Sequence, residues 1–324
     1  MIVVTGAAGF IGSALVWKLN SLGRKDVLAV DVRPDGADSA NLSPLEFEDY
    51  LDRDEFLRRI LAGSFNRHVG TIFHLGAVTD TTFDDVDFLR TNNFEYTKHL
   101  AEFALRTGAR FIYASSAATY GAGERGYSDS HTLLERLKPL NAYAESKHLF
   151  DLWAFRTGAL DKIVGLKYFN VFGPNEHHKG EMRSMVCKGF EQVRSSGKIR
   201  LFKSHRPCCA DGEQMRDFIY VKDAAEMTIF FLDNPKLAGI YNIGSGTATS
   251  WNTLARAIFD ALDAPARIEY IDMPGALREK YQYYTCADMT KIRAAGYTSP
   301  TTQISDAVSD YVQNYLLPGK HLGE

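Results

Sequence analysis

Short apolar runs alternate with longer stretches of helical apolar spacing through the first half of the chain. That alternation predicts a parallel sheet wound on both faces by helices. Met1-Ile2-Val3-Val4-Thr5 reads as a buried strand, and Ser13 to Leu22 as the helix after it. Asp26 to Asp31, Thr71 to Leu75, Arg110 to Ser116 and Lys162 to Phe169 read as further strands. Helices are expected over Thr91 to Thr107 and Asn141 to Leu160. After Gly173-Pro174 the pattern changes, because His177-His178-Lys179-Gly180 and Arg206 to Gly212 are loop-rich. Strands at Asp217 to Val221 and Gly239 to Gly244 bracket a helix from Val221 to Leu232, and these elements are expected to return to the first lobe. An amphipathic helix near Thr302 to Leu316 ends the pattern. The expected fold is α/β: a doubly wound parallel sheet in residues 1–170 and 216–246, with a smaller mixed α/β substrate lobe in residues 171–215 and 247–324.

Composition narrows the class. A chain of 324 residues can form two lobes around a cleft and bury roughly three-quarters of its unfolded surface. It therefore needs no disulfide or metal staple. Hydrophobic residues at 45% and charged residues at 24% are ordinary for a soluble enzyme. A net charge of −3 gives no electrostatic case for nucleic acid or an anionic membrane. No apolar run approaches the roughly 18 residues of a membrane span, and the first residues lack a signal-peptide pattern. Cys187, Cys208, Cys209 and Cys286 have no framework spacing, so a cytoplasmic protein with free thiols is expected. His205, Cys208, Cys209 and Asp211 match no ordinary zinc spacing, and no metal is expected.

The first strand runs into Gly6-Ala7-Ala8-Gly9-Phe10-Ile11-Gly12. Glycines in such a turn permit positive φ and let backbone approach a ligand. The following helix N-terminus aims N–H groups and a positive dipole end at a pyrophosphate. The segment reads as a Rossmann-type dinucleotide site, although the spacing is G-x-x-G-x-x-G rather than G-x-G-x-x-G; a bare glycine-rich strand-to-helix turn is the alternative. Asp31 ends the second strand about 20 residues on, where an acid bonds an adenosine ribose; a solvated strand-end acid is the alternative. A carboxylate there favours a 2′-OH over a 2′-phosphate, and Val32 adds no donor. Arg33 and Arg53 are placed to neutralise a phosphate, so NAD and NADP both stay open, with NAD slightly favoured.

Tyr143-x-x-x-Lys147 supplies the chemistry. The two side chains share one helix face. Phenol, with a pKa near 10, is a poor base at neutrality, and an adjacent ammonium stabilises phenolate. Ser116 ends a strand where it can bond a substrate oxygen. This trio beside a nicotinamide fits reversible hydride transfer at a carbinol.

Thr5 to Gly12, Ala114 to Gly121, Tyr143-x-x-x-Lys147 and Tyr168 to Pro174 together resemble the extended short-chain dehydrogenase/reductase (NAD-dependent epimerase/dehydratase) family. That family mostly processes nucleotide sugars. Gly76 to Thr82, Thr91-Asn92-Asn93, His178-Lys179-Gly180, Arg216-Asp217-Phe218 and Lys280-Tyr281-Gln282 narrow the resemblance, end to end, to its branch that inverts C6 of an ADP-linked heptose. The resemblance implies an isomerase of lipopolysaccharide-core synthesis with one tightly bound NADP or NAD and an ADP-heptose substrate. It also implies a homo-oligomer, a pentamer. Its catalytic residues would be Tyr143, Lys147, Ser116 and, as a second acid/base, Lys179, for which a solvated loop lysine is the plainer reading. Cofactor contacts would come from Gly6, Gly9, Phe10, Ile11, Gly12, Asp31, Val32, Arg53, Leu75, Gly76, Ala77, Val78, Thr79, Asn92, Tyr143, Lys147, Val171 and Lys179. Substrate contacts would come from Ser116, Asn170, Glu181, Lys188, Phe202, Lys203, Ser204, His205, Arg216 and Tyr281. Arginine suits a diphosphate through paired charged hydrogen bonds; an Arg216–Asp217 ion pair is the alternative.

The chain departs from the family pattern in three places. Asp38 stands where a basic residue is expected, Val32 replaces Asn beside the ribose acid, and the loop from His205 to Gln214 is longer. Three functions remain: the C6 epimerase, another nucleotide-sugar enzyme such as a 4-epimerase, or a dinucleotide sensor on the same fold. Ala117-Ala118 stands where a 4,6-dehydratase carries an Asp-Glu pair, which argues against elimination.

Overall fold

The structure, a computed structural model, describes every residue except Arg33 to Gly36, Asn66, Glu279 and Lys280; the side chains of residues 37–39, 276 and 277 are also outside the description. The expectations for Arg33, Asp38 and Lys280 thus fall outside the described residues.

The described strands are β1 (Ile2–Thr5), β2 (Val27–Asp31), β3 (Asp49–Asp52), β4 (Thr71–His74), β5 (Arg110–Ser116), β6 (Val164–Tyr168), β7 (Asn170–Phe172), β8 (Ile199–Phe202), β9 (Met215–Tyr220), β10 (Gly239–Ile243), β11 (Ala248–Ser250) and β12 (Ile268–Ile271). Seven form one parallel sheet in the order β10-β6-β5-β4-β1-β2-β3. Winding reverses between β1 and β4, and the carboxyl ends of those two strands open the crevice where such sheets bind ligands. β1, β4, β6 and β10 are buried at every position, which is why they read as continuous apolar runs rather than alternating ones.

The apolar layers on the two faces differ. Val3, Leu28, Phe111, Phe150 and Leu100 belong to one; Val4, Ala29, Ile112, Leu15 and Met227 belong to the other. His74 is buried at the end of β4, with its ring nitrogens 2.6 Å from the Thr5 hydroxyl and 2.8 Å from that of Thr97. Burial holds its pKa well below the usual imidazole value, so it stays neutral and pins β1, β4 and helix Tyr96–Thr107 together.

β10 joins the large sheet as expected, but β9 does not. It pairs with β7 and β11 in a separate three-stranded sheet, while β8 and β12 form a parallel pair. These elements and helices Met185–Ser196, Trp251–Ala261 and Ile304–Tyr311 enclose a third apolar core around Val186, Phe218, Leu254, Phe259 and Tyr311. Phe10, from the glycine turn, belongs to that third core.

Candidate active site

The glycine turn is packed backbone against backbone. Gly6 has φ +69°, and a Cβ there would lie 2.5 Å from the Gly76 amide nitrogen. A Cβ on Gly12 would lie 1.9 Å from the Gly6 carbonyl oxygen. No side chain fits at either position, so the turn keeps the close approach that a pyrophosphate needs. Gly9 starts helix Phe10–Ser21. The Asp31 carboxylate accepts the Ala8 N–H at 2.9 Å and its own neighbour's, from Val32, at 2.8 Å.

Three clefts run on from this turn. The first, about 440 Å³, is lined by Gly6, Gly9 to Gly12, Asp31, Leu75 to Asp80, His178, Lys179 and Met182. The second, about 500 Å³, shares Phe10, Ile11, Leu75, Ala77, Thr79, Lys179 and Met182 with it, and adds Ser116, Tyr143, Lys147, Asn170 and Val171. The third, about 410 Å³, is lined by Lys188, Arg200, Phe202 and Tyr281, and shares Arg183, Met185 and Trp251 with the second.

Helix Ala142–Arg156 begins at Asn141, whose side-chain oxygen accepts the Ala144 N–H at 2.8 Å. This cap sets Tyr143 in the first turn, half-buried over the second cleft. Burial pushes its phenol up, and the Ser116 hydroxyl works the other way. Lys147 is one turn on and 5% exposed, and it donates to the Ala114 carbonyl at 2.9 Å. Burial pulls its ammonium down to about 8, against the opposing charge of Asp151.

A charged network lies beneath. Asp151 and Lys167, both fully buried, pair at 3.0 Å. Asp151 also accepts the Tyr113 hydroxyl at 2.8 Å and that of Ser115 at 2.7 Å. Lys167 also donates to the Thr119 hydroxyl and sits 4.8 Å from the Tyr120 ring centre. Tyr113 and Ser115 point down to Asp151, so the strand's alternation turns Ser116 to the cleft.

Segment Leu75–Thr79 is fixed by Asn93, which is 1% exposed. Asn93 accepts the Val78 N–H at 2.9 Å and donates to the Val78 carbonyl and the Ser146 hydroxyl, both at 3.0 Å. The neighbouring residue behaves differently. Asn92 accepts from Arg53 at 2.7 Å, and Arg53 also reaches Asp54 and stacks 4.7 Å from the Tyr96 ring centre. Neither Arg53 nor Asn92 is among the described residues that line these three clefts; each is bonded to the other.

Lys179 lies in a short turn, His177–Met182, and lines both the first and second clefts, its ammonium 5.3 Å from the Phe10 ring centre. Burial pulls its pKa down while Glu176 pushes it back up. Glu176 is 1% exposed and anchors the segment's end by accepting the Ser184 N–H at 2.5 Å and hydroxyl at 2.6 Å.

The expected substrate residues divide. Lys188, Phe202 and Tyr281 line the third cleft, and Asn170 the second. Glu181 is exposed and pairs with Lys188 at 3.1 Å. Lys203 faces Asp272 at 3.4 Å, and Ser204 and His205 are tied to Asp211 and Tyr283 through their backbone N–H groups; none of the three lines a cleft. The Arg216–Asp217 ion pair does not form. Asp217 accepts instead from the backbone of Ser245, Gly246 and Ala287. Arg216, 7% exposed, is itself outside the lining of the three clefts, forms no ion pair among the described residues and lies 5.0 and 5.8 Å from the ring centres of Tyr281 and Trp251. A buried guanidinium without a carboxylate, against two rings that line the third cleft, is suited to a phosphate oxygen. Arg183, Met185 and Trp251 are cleft residues that sequence reasoning missed. No motif marks them, because they follow the Lys179 turn or start the helix after β11.

The model of the NAD dependent epimerase/dehydratase family matches residues 2–244. The chain belongs to that family. Among its relatives, the chain is 51% identical over 316 residues to ADP-L-glycero-D-manno-heptose-6-epimerase of Nitratidesulfovibrio vulgaris strain Hildenborough, covering 98% of both chains. It is 45% identical over 325 residues to the Fusobacterium nucleatum enzyme of the same name, again covering 98% of both. Among solved structures it matches the Helicobacter pylori ADP-L-glycero-D-manno-heptose-6-epimerase with a TM-score of 0.81 and 27% identity, over 97% of this chain and 95% of that one. The fold alone extends to UDP-glucose 4-epimerase of Thermotoga maritima, with a TM-score of 0.79 and 24% identity over 98% and 99% of the two chains. The epimerase/dehydratase family uses a nicotinamide dinucleotide, and the glycine cradle with Asp31 at its edge fits one. No described helix is long and apolar enough to cross a membrane.

Proposed function

We propose that this chain inverts C6 of ADP-D-glycero-D-manno-heptose to give ADP-L-glycero-D-manno-heptose, for lipopolysaccharide core synthesis. The observation that carries this reading is that two proton-handling groups from different elements, Tyr143 and Lys179, line one cleft. Inversion at a secondary alcohol needs no net oxidation. A bound nicotinamide dinucleotide supplies reversible hydride acceptance. C6 lies outside the sugar ring, so a 6-ketone exchanges its faces by rotation about one bond. That rotation moves the oxygen between two positions, and one fixed acid/base serves only one of them. Tyr143, supported by Lys147 and Ser116, handles the proton at the first, and Lys179 handles it at the other. Leu75 to Thr79 and Val171 hold the nicotinamide side. Arg216 and Tyr281 hold the diphosphate, and Lys188 and Phe202 the nucleotide.

The cofactor favoured is NAD. Asp31 lines the first cleft, where its carboxylate bonds a ribose 2′-OH and repels a 2′-phosphate, and Arg53 is engaged elsewhere. Mass spectrometry of the dinucleotide released from the purified protein is expected to give NAD; NADP would refute this point alone. A cytoplasmic homo-oligomer, a pentamer, belongs to the same reading.

The deciding experiment follows the C6 proton by NMR as purified protein meets the D-glycero substrate. Appearance of the L-glycero epimer is expected. Its absence, with turnover of UDP-galactose, would assign the chain to 4-epimerisation.

Lys179→Met is expected to lower kcat by about 10²-fold, the low end for a general acid/base, while the cofactor Kd changes by no more than about 3-fold. Equal losses in both would make Lys179 a phosphate holder. Lys147 adds a pH signature. Its ammonium is charged below about 8 and neutral above it, so support for the phenolate is present on the acid side and lost as pH rises. A descending limb in kcat near that pH is expected, and Lys147→Arg, always charged, is expected to lack it even if slower. A limb that stays in place would belong to another group.

A further inference from the structure

A nucleotide sugar that places its sugar in the second cleft and its base in the third must pass its diphosphate through their junction. Arg183, Met185 and Trp251 line both clefts, and Arg183 is the charged member. Its Nε donates to the Gly180 carbonyl at 2.8 Å, and its Nη1 pairs with Glu191. Gly180 directly follows Lys179 and has φ +53°, a conformation that lets the turn reverse there. One planar guanidinium therefore touches the peptide next to the proposed acid/base while facing the diphosphate's path.

We propose that Arg183 is a positioning residue that couples diphosphate binding to the placement of Lys179. This inference rests on the proposed nucleotide-sugar substrate and deepens it. The five donors of a guanidinium lie in one rigid fork. Nε stays on Gly180 and Nη1 on Glu191 while Nη2 takes a phosphate oxygen, so the bound diphosphate tightens the turn that carries Lys179. Binding energy from the part of the substrate that does not react is thereby used where the proton moves. A lysine at this position brings charge without the fork and cannot hold both partners.

Amide hydrogen exchange tests the coupling without any sugar. In the parent protein loaded with its dinucleotide, ADP is expected to slow exchange across residues 178–184 by about 5-fold or more. In Arg183→Met and in Arg183→Lys that protection is expected to vanish, although the lysine variant binds ADP within about 3-fold of the parent. Protection that persists in either variant, or that neither ADP nor UDP produces in the parent, would overturn the coupling. Protection by UDP but not ADP would overturn the substrate reading and leave the coupling standing. With the heptose substrate, Arg183→Met is expected to lower kcat by about 10-fold, and by less than about 2-fold when Lys179 is already Met. Full additivity of the two losses would show that Arg183 acts on its own.

Discussion

Tyr143→Phe is expected to lower kcat by at least about 10³-fold while leaving the protein folded and loaded with dinucleotide. The substitution removes one oxygen. The ring keeps its place because the Asn141 cap sets the helix start independently of that hydroxyl. Ser116 cannot replace it: its pKa is far above that of a phenol, and its oxygen already accepts the Ala118 N–H at 3.1 Å. Lys147 is also occupied, donating to the Ala114 carbonyl. The measurement is single-turnover inversion at C6 beside cofactor content by absorbance. Ser116→Ala combined with Tyr143→Phe is expected to cost little more than Tyr143→Phe alone, because the two hydroxyls act as one unit. A phenylalanine variant with more than about a tenth of parental activity would place the proton on another group and remove the basis for the acid/base assignment.

The second large effect concerns stability. Asp151→Asn is expected to destabilise the protein by about 3–5 kcal/mol, because Lys167 is left charged and fully buried with no anion beside it. With an unfolding entropy near 2 cal/mol/K per residue, the melting temperature falls by roughly 4–8 °C. The neutral pair Asp151→Asn with Lys167→Met removes both charges and is expected to recover more than half of the loss. Denaturant midpoints at constant slope measure it. A single variant within about 0.5 kcal/mol of the parent would mean that the buried pair does not contribute to stability. The network is not only structural. Its hydrogen bonds to Tyr113 and Ser115 hold the end of β5, so the neutral pair is also expected to lose some turnover even where it recovers stability.

The parallel sheet was legible because its buried strands are continuous apolar runs between turn residues, as at Ile2–Thr5 and Val164–Tyr168. The placement of β9 was not. Met215–Tyr220 is buried at all but its first position although it carries Arg216 and Asp217, and only its pairing with β7 and β11 shows which sheet receives it. Tyr143, Lys147 and Ser116 line one cleft, a juxtaposition that helical and strand periodicities make readable from spacing. Residues that meet only through loops were harder. Arg53 and Asn92 were expected at the cofactor, and they are bonded to each other rather than lining any of the three clefts. Asn93, one position on, does the work of fixing Val78, and adjacent asparagines give no sequence signal to tell them apart. Asp151 was overlooked because a carboxylate one turn after Lys147 looks like an ordinary surface pair. Arg183 and Trp251 belong to no motif and become visible only where two clefts meet.

Phe10 stands between Gly9 and Gly12, yet it is 6% exposed and belongs to the third apolar core. Parting that core from the large sheet would extract the ring at a cost of roughly 2 kcal/mol and dislodge the cradle with it. The joint thus opposes, by that amount, any opening of the cradle around a seated dinucleotide. For a reaction that hands its electrons back to the molecule they came from, a captive carrier is sufficient.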